Sequence, residues 1–204
     1  NALKVAPDTI QTAASMIKAG GIIAFLTHGL YGLGADAFNR QAVQKLYSIK
    51  QRPTQKPILI LIERSEQLAG LVSHINPIAT QIIHGFWPGK ITLVFDASAS
   101  VPTTLTGGST KIGVRQPGHP AAAALVKAVG SPITGTSANL SGRPGCRQVS
   151  DLEPALIRRL DLILDGGILA GGRGSTVVDV TAETPRILRE GVIPASAIMA
   201  LAAG

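Results

Sequence analysis

Aromatic side chains are scarce, at 3% of 204 residues, and cysteine occurs once, at Cys146. The first scarcity argues against a surface that stacks single-stranded bases on aromatic platforms, so any nucleic acid would be held through its backbone. The second rules out an intramolecular disulfide and any zinc site built on cysteine pairs, and it points to a reducing, cytoplasmic setting. Long apolar runs are missing too. "GGIIAF" and "PILILI" are strand-sized, well short of the roughly 20 apolar residues of a membrane span. The opening "NALKVAPDTIQ" lacks the basic-then-apolar order of a signal peptide. Acidic residues are the last deficit: Asp and Glu number 12 against 19 Lys and Arg, a formal net charge of +7. That balance favours phosphorylated or polyanionic partners and says nothing about fold.

What remains is a globular composition, 45% hydrophobic and 15% charged, in a chain long enough to bury a core. Ile10, Ala13, Ala14 and Ile17 recur at helical spacing after Asp8, a candidate cap, and Gly20 and Gly21 end the run. "IIAFL" reads as a buried strand. Asn39 can cap a helix carrying Ala42, Val43, Leu46 and Tyr47, with Pro53 as its limit. "ILILI", "ITLVF", "KIGVR", "SPITG", "LILD", "STVVDV" and "RILRE" read as strands. Helices are expected from Ser65, from Asn76-Pro77, around Ala121 to Val129, from Ser150 to about Leu160, and in "PASAIMALAA". Helices and strands alternate, but several strands follow one another directly. The expectation is an α/β fold: a single domain over residues 1–204 with a twisted mixed parallel and antiparallel sheet flanked by helices.

Four segments carry candidate chemistry. "SIKQRPTQKPILILI" places Lys50, Arg52 and Lys56 within seven residues before an apolar strand. Like charges that close repel unless an anion sits among them, although a solvated basic turn is the ordinary alternative. "LTHGLYGLGAD" follows a strand, but its glycines lack the dinucleotide-binding spacing. "GGILAGGRGST" lacks the lysine before a Ser or Thr that a P-loop needs, so it offers backbone N–H groups at most. "GTSANLSGRPG" crowds Thr136, Ser137, Asn139 and Ser141 at a strand end, where α/β folds bind ligands; the same residue types also make ordinary turns. Arg115 ends a strand and could hold a carboxylate or phosphate, or simply pair at the surface. His28, His74, His84 and His119 show no metal-ligand spacing. Cys146 reads as a small loop residue and Trp87 as a packing anchor.

Taken in order, these segments resemble the YrdC-like family, with its paired K-x-R and S-x-N signature at Lys50, Arg52, Ser137 and Asn139. "FWPGKITLVF", "KIGVRQPGHP", "TSANLSGRP" and "STVVDVT…RILREG" follow in the family's order. The resemblance implies a nucleotidyltransferase of tRNA modification. Such an enzyme condenses L-threonine, bicarbonate and ATP to threonylcarbamoyl-adenylate and pyrophosphate, with Mg²⁺ carried on ATP. It also implies residue roles. Lys50 and Arg52 would act in catalysis. Lys50, Arg52, Lys56, Ser137, Asn139 and Arg189 would hold ATP, while Thr27, Arg115 and Thr136 would hold threonine. A downstream tRNA threonylcarbamoyl-transferase complex is the implied partner, with tRNA or double-stranded RNA a further candidate. Leu26, His28 and Gly29 depart from the family's first loop, where Pro-Thr is usually followed by an acidic and then a small residue, so the amino-acid end of the pocket differs. Longer relatives add a C-terminal domain, for which this chain leaves no room before Gly204. A carbamoyl-adenylate-forming enzyme and a non-catalytic binder of structured RNA are the alternatives.

Overall fold

The computed structural model describes residues 2–202. In chain order its elements are β1 (Ala2–Lys4), α1 (Pro7–Lys18), β2 (Ile23–Leu26), β3 (Tyr31–Gly34), α2 (Arg40–Lys50), β4 (Ile60–Leu61), α3 (Pro77–Phe86) and β5 (Ile91–Asp96). There follow α4 (Thr103–Thr106), β6 (Lys111–Arg115), α5 (Pro120–Val129), β7 (Ile133–Thr134), β8 (Thr136–Ser137), α6 (Pro154–Ile157), β9 (Leu162–Asp165), β10 (Thr176–Asp179), β11 (Arg186–Arg189) and α7 (Ala195–Ala202). The α/β class and the mixed pairing are as expected. The strands, however, divide into two sheets: β1-β9-β2-β3-β8, and β11-β10-β5-β6-β4-β7.

Both sheets mix directions for a local reason. β2 and β3 form an antiparallel hairpin across a short loop, while β9 returns from far along the chain to pair β2 in parallel. In the second sheet β5 pairs β6 antiparallel and β10 parallel. β2 is buried at every residue, which explains its continuous apolar sequence: α1 and α5 pack on it. β7 and β8 are one run of chain. Thr134 pairs with β4 in the second sheet, Ser137 pairs with β3 in the first, and Gly135 lies at the crossing.

Local chemistry sets several boundaries. Asn39 Oδ1 accepts from the Ala42 N–H at 3.1 Å, so the expected cap forms, and Asn76 Oδ1 accepts from the Ala79 N–H at 2.8 Å, capping the helix expected from Asn76-Pro77. The first helix instead starts at Pro7, with Thr9 Oγ1 accepting from the Ala6 N–H at 2.9 Å, and Asp8 lies inside its first turn. The helix expected from Ser150 is broken into a 3-10 turn at Val149–Asp151 and the short α6. Pro154 disfavours the helical conformation in the residue before it, and Glu153 is extended with ψ of 135°. "ILILI" pairs as a strand only at Ile60 and Leu61. Trp87 is buried and its Nε1 donates to Ile91 O at 3.0 Å, an anchor beneath the turn. No helix among the described residues is long and apolar enough to cross a membrane.

Candidate active site

A cavity of about 800 Å³ lies against the open face of the six-stranded sheet, a size suited to a small-molecule site. Alternate residues of adjacent strands form its floor: Thr92 and Val94 of β5, Lys111, Gly113 and Arg115 of β6, Val177 and Asp179 of β10. The β2–β3 loop, the Gly135–Asn139 segment and the glycine loop through Ser175 form its walls. The two loops touch: the Gly171 N–H donates to Gly29 O at 2.9 Å. A Cβ on Gly29 would sit 2.3 Å from Gly171 O, so only glycine permits this approach.

Arg52, Lys90, Lys111, Arg115, Arg143, Arg173, Arg186 and Arg189 line the cavity against one carboxylate, Asp179. That carboxylate is already engaged. Its Oδ2 accepts from Lys111 Nζ at 2.8 Å and Arg186 Nη2 at 3.4 Å, and its Oδ1 from Thr181 Oγ1 at 2.7 Å. Burial works to raise its pKa, but the hydrogen bonds from Lys111 and Thr181 and the lysine charge bring it down to about 2. Of the remaining cations Arg173 pairs with Glu190 at 3.6 Å, which leaves Arg52, Lys90, Arg115, Arg143 and Arg189 with no carboxylate partner among the described residues.

At one end of the cavity the donors lack partners. Arg115 Nε is shielded from solvent and makes no hydrogen bond among the described residues, and the same holds for Nδ1 of His119, which lies behind the lining. Burial, with the charge of Arg189 added, lowers the Arg115 guanidinium to about 10. His28 packs edge-on to His119, ring centroids 6.2 Å apart. Burial lowers the pKa of both imidazoles, and the charges of Lys90, His119 and Arg115 lower His28 further. Thr27, beside His28, lines the same end and donates its hydroxyl to Leu30 O at 2.5 Å.

The opposite wall is internally satisfied. Ser137 Oγ donates to Asn139 Oδ1, and Asn139 Nδ2 donates to Leu140 O at 2.9 Å and Arg143 O at 2.5 Å. Arg52 is planted on its own loop, with Nε donating to Lys56 O at 3.2 Å and Nη2 to Pro57 O at 2.8 Å. Arg189 Nη2 donates to Ser175 O at 2.7 Å. Of the residues singled out from sequence, Thr27, Arg52, Arg115, Thr136, Ser137, Asn139 and Arg189 come together around the cavity. Lys50 and Lys56 are not in its lining. Lys56 is exposed, and Lys50 is buried with its ammonium on the carbonyls of Ser137 and Asn139.

Several lining residues escaped sequence reasoning. Ser175, whose hydroxyl is 2.9 Å from Thr92 Oγ1, sits in the segment set aside as a failed P-loop. Lys90 follows the Pro-Gly turn, and Arg143 follows the S-x-N motif; both are basic residues next to a motif, the one signal available. Leu188 and Val192 line the cavity although exposed. Cys146 is buried, and its Sγ donates to Ala138 O at 3.0 Å. Burial, then the charges of Asp151 and Glu153, raise its pKa, which favours the protonated thiol.

Fold and site together define an α/β protein with a cationic, small-molecule cavity between two mixed sheets. Residues 15–191 match the Sua5/YciO/YrdC family model, described as "Telomere recombination". The chain belongs to this family. Threonylcarbamoyl-AMP synthase of Pyrococcus abyssi is 38% identical over 185 residues, which are 91% of this chain and 54% of that protein. Threonylcarbamoyl-AMP synthase of Photobacterium profundum is 36% identical over 186 residues, 90% of this chain and 100% of that protein. The crystal structure of P. abyssi Sua5 complexed with L-threonine matches with a TM-score of 0.90 at 35% identity, covering 98% of this chain and 59% of that one. This chain thus spans about half of the Pyrococcus protein and the full length of the Photobacterium one.

Proposed function

We propose that this chain is a threonylcarbamoyl-AMP synthase, joining L-threonine, bicarbonate and ATP into threonylcarbamoyl-adenylate and pyrophosphate. The observation that carries the reading is the pairing, in one cavity, of a half-buried Arg115, whose shielded Nε has no partner among the described residues, with the Arg52, Ser137 and Asn139 cluster. A guanidinium whose Nε is shielded and unpartnered, with no acid beside it, gains from an arriving anion, and an amino-acid carboxylate fits its fork. The hydroxyl and amide groups opposite suit phosphate and ribose oxygens without burying further charge. Val94, Val177 and Leu188, along the floor, offer an apolar surface for the base.

The chemistry follows from this layout. Bicarbonate and the threonine amine form a carbamate with release of water. A carbamate oxygen then attacks the α-phosphorus, the bond to the bridging oxygen toward the β-phosphorus breaks, and pyrophosphate leaves. Nucleophile and target are both anionic, so Arg52, Lys90, Arg143 and Arg189 reduce their repulsion and stabilise charge gathering on the leaving group. Alignment of the two substrates supplies much of the remaining acceleration. Once the carbamate exists, no general base is required. Thr27, Thr136 and Arg115 would hold threonine; Arg52, Ser137, Asn139 and Arg189 would hold the nucleotide.

The lining does not fit a protein-held Mg²⁺. Its one carboxylate is engaged, and no group of three or more His, Cys, Asp or Glu side chains among the described residues could hold a metal. Magnesium would arrive on the phosphates. The adenylate is a mixed anhydride, so a transferase acting on a tRNA adenosine in the cytoplasm would consume it.

Pyrophosphate release from purified protein tests the proposal, with ATP, Mg²⁺, bicarbonate and L-threonine each omitted in turn. Release that needs all three substrates and falls in Arg52→Ala is expected. Release from carbamoyl phosphate in place of threonine and bicarbonate, or none at all, would overturn it.

A further inference from the structure

Lys50 ends α2 and is 1% exposed, among the largest fully buried side chains of the molecule. A buried ammonium is costly unless its protons find acceptors. Its acceptors are not acids: Nζ donates to the carbonyl oxygen of Ser137 and, at 2.7 Å, to that of Asn139. The backbone of the same residue reaches the same segment, since Lys50 O accepts from the Ser141 N–H at 2.8 Å. That carbonyl would otherwise be an orphan at the helix end. Next in sequence, Gln51 takes the left-handed conformation with φ of 49°, which turns the chain and sends Arg52 to the cavity that Lys50 does not line.

We propose that Lys50 is a positioning residue that clamps the Ser137–Ser141 segment, so that the side chains of Ser137 and Asn139 are held toward the nucleotide, and that Arg52 alone of the K-x-R pair meets the phosphates. Two of the three ammonium N–H bonds are committed to backbone carbonyls, which fixes the segment's curvature independently of any ligand. Burial, with the charge of Arg52 added, lowers the ammonium to about 8, so the clamp is mostly charged at neutral pH and weakens above it. The inference rests on reading the cavity as a nucleotide site.

Amine acetylation of the wild-type chain, followed residue by residue by mass spectrometry with and without ATP, tests it. Lys50 is expected to react at least ~10-fold slower than exposed Lys56 without ATP, because the amine is reached only by local opening. ATP should change that rate little. Rapid labelling without ATP, with protection on its addition, would overturn the proposal and return Lys50 to the phosphates. A second test is the cycle of Lys50→Met, Asn139→Ala and the double variant, read by ATP affinity. A clamp acting through Asn139 predicts that the double variant binds within about threefold of the weaker single one, whereas independent phosphate contacts would add. The clamp also predicts an alkaline decline in wild-type ATP affinity between pH 7.5 and 9, which Lys50→Met should lack. A decline kept unchanged in Lys50→Met counts against the clamp. Failure of wild type to release pyrophosphate would sink the synthase reading, while slow labelling of Lys50 without ATP would still place its amine on the segment.

Discussion

The two ends of the cavity are built on opposite principles. Around Ser137 and Asn139 the side-chain donors already have acceptors: Ser137 Oγ on Asn139 Oδ1, Asn139 Nδ2 and Arg52 on carbonyls of their own loops, and Lys50 on the Ser137 and Asn139 carbonyls. Around Arg115 and His119, polar atoms are shielded from water and left without partners among the described residues. The first end has its hydrogen bonds without any ligand; the second leaves polar atoms for which, on the proposed reading, a ligand would supply the partners.

The contrast breaks most visibly at Arg115. Arg115→Met should raise the threonine KM at least ~100-fold by removing the carboxylate's partner. Thermal stability without ligand should change little, because the shielded Nε makes no hydrogen bond for the substitution to remove. A fall in Tm with an unchanged threonine KM would make Arg115 structural. Asn139→Ala should act the other way, weakening ATP by about 10-fold and lowering stability by roughly 1–2 kcal/mol through the lost bonds to Leu140 O and Arg143 O. Calorimetry and ATP titration read both. A loss confined to threonine would erase the distinction between the ends.

Asp179 belongs to the floor and sharpens the comparison by standing outside it. The folded chain keeps it ionised down to about pH 2, against 3.8 for an ordinary aspartate. Its stabilisation is complete above about pH 4 and lost as pH falls toward 2, about 2 kcal/mol in all. Asp179→Asn should remove that much stability at pH 7 and flatten the acid limb of urea unfolding; a limb as steep as wild type would move the acid sensitivity elsewhere. The smallest effect concerns the imidazoles. Both pKa values are lowered in the fold, so stability is full above the ordinary histidine value of 6.5 and declines as pH falls below it, where the unfolded chain takes up protons first. His119→Gln should make Tm less dependent on pH between 7 and 5.5, and an unchanged slope would show that this end tolerates charge.

Much of this was legible in sequence. The strand cores, the Asn39 cap, the helix start at Asn76-Pro77 and seven of the lining residues could be read because their signals are local: alternation, a side chain placed to cap, motif spacing. The split into two sheets could not, because it depends on which distant strand β7 and β8 each choose. Lys50 shows the same limit. A lysine two residues from an arginine reads as one of two cations facing an anion, and only the left-handed Gln51 separates their directions. Ser175 was hidden because its loop was judged by a P-loop template, whereas its place comes from the register of β10 against β5.

Gly135 has a consequence for how this protein could be recombined with its relatives. A Cβ there would lie 2.7 Å from Leu59 Cδ1 and 2.8 Å from Leu61 Cγ, so the crossing between sheets is fitted to the strand that β7 pairs with. A chimera that took one sheet from each of two parents would split this seam, and with it the short pairings that tie β4 and β3 to a common run of chain. The natural exchange unit is therefore the crossing together with the β4 segment that packs on it, transplanted as one piece.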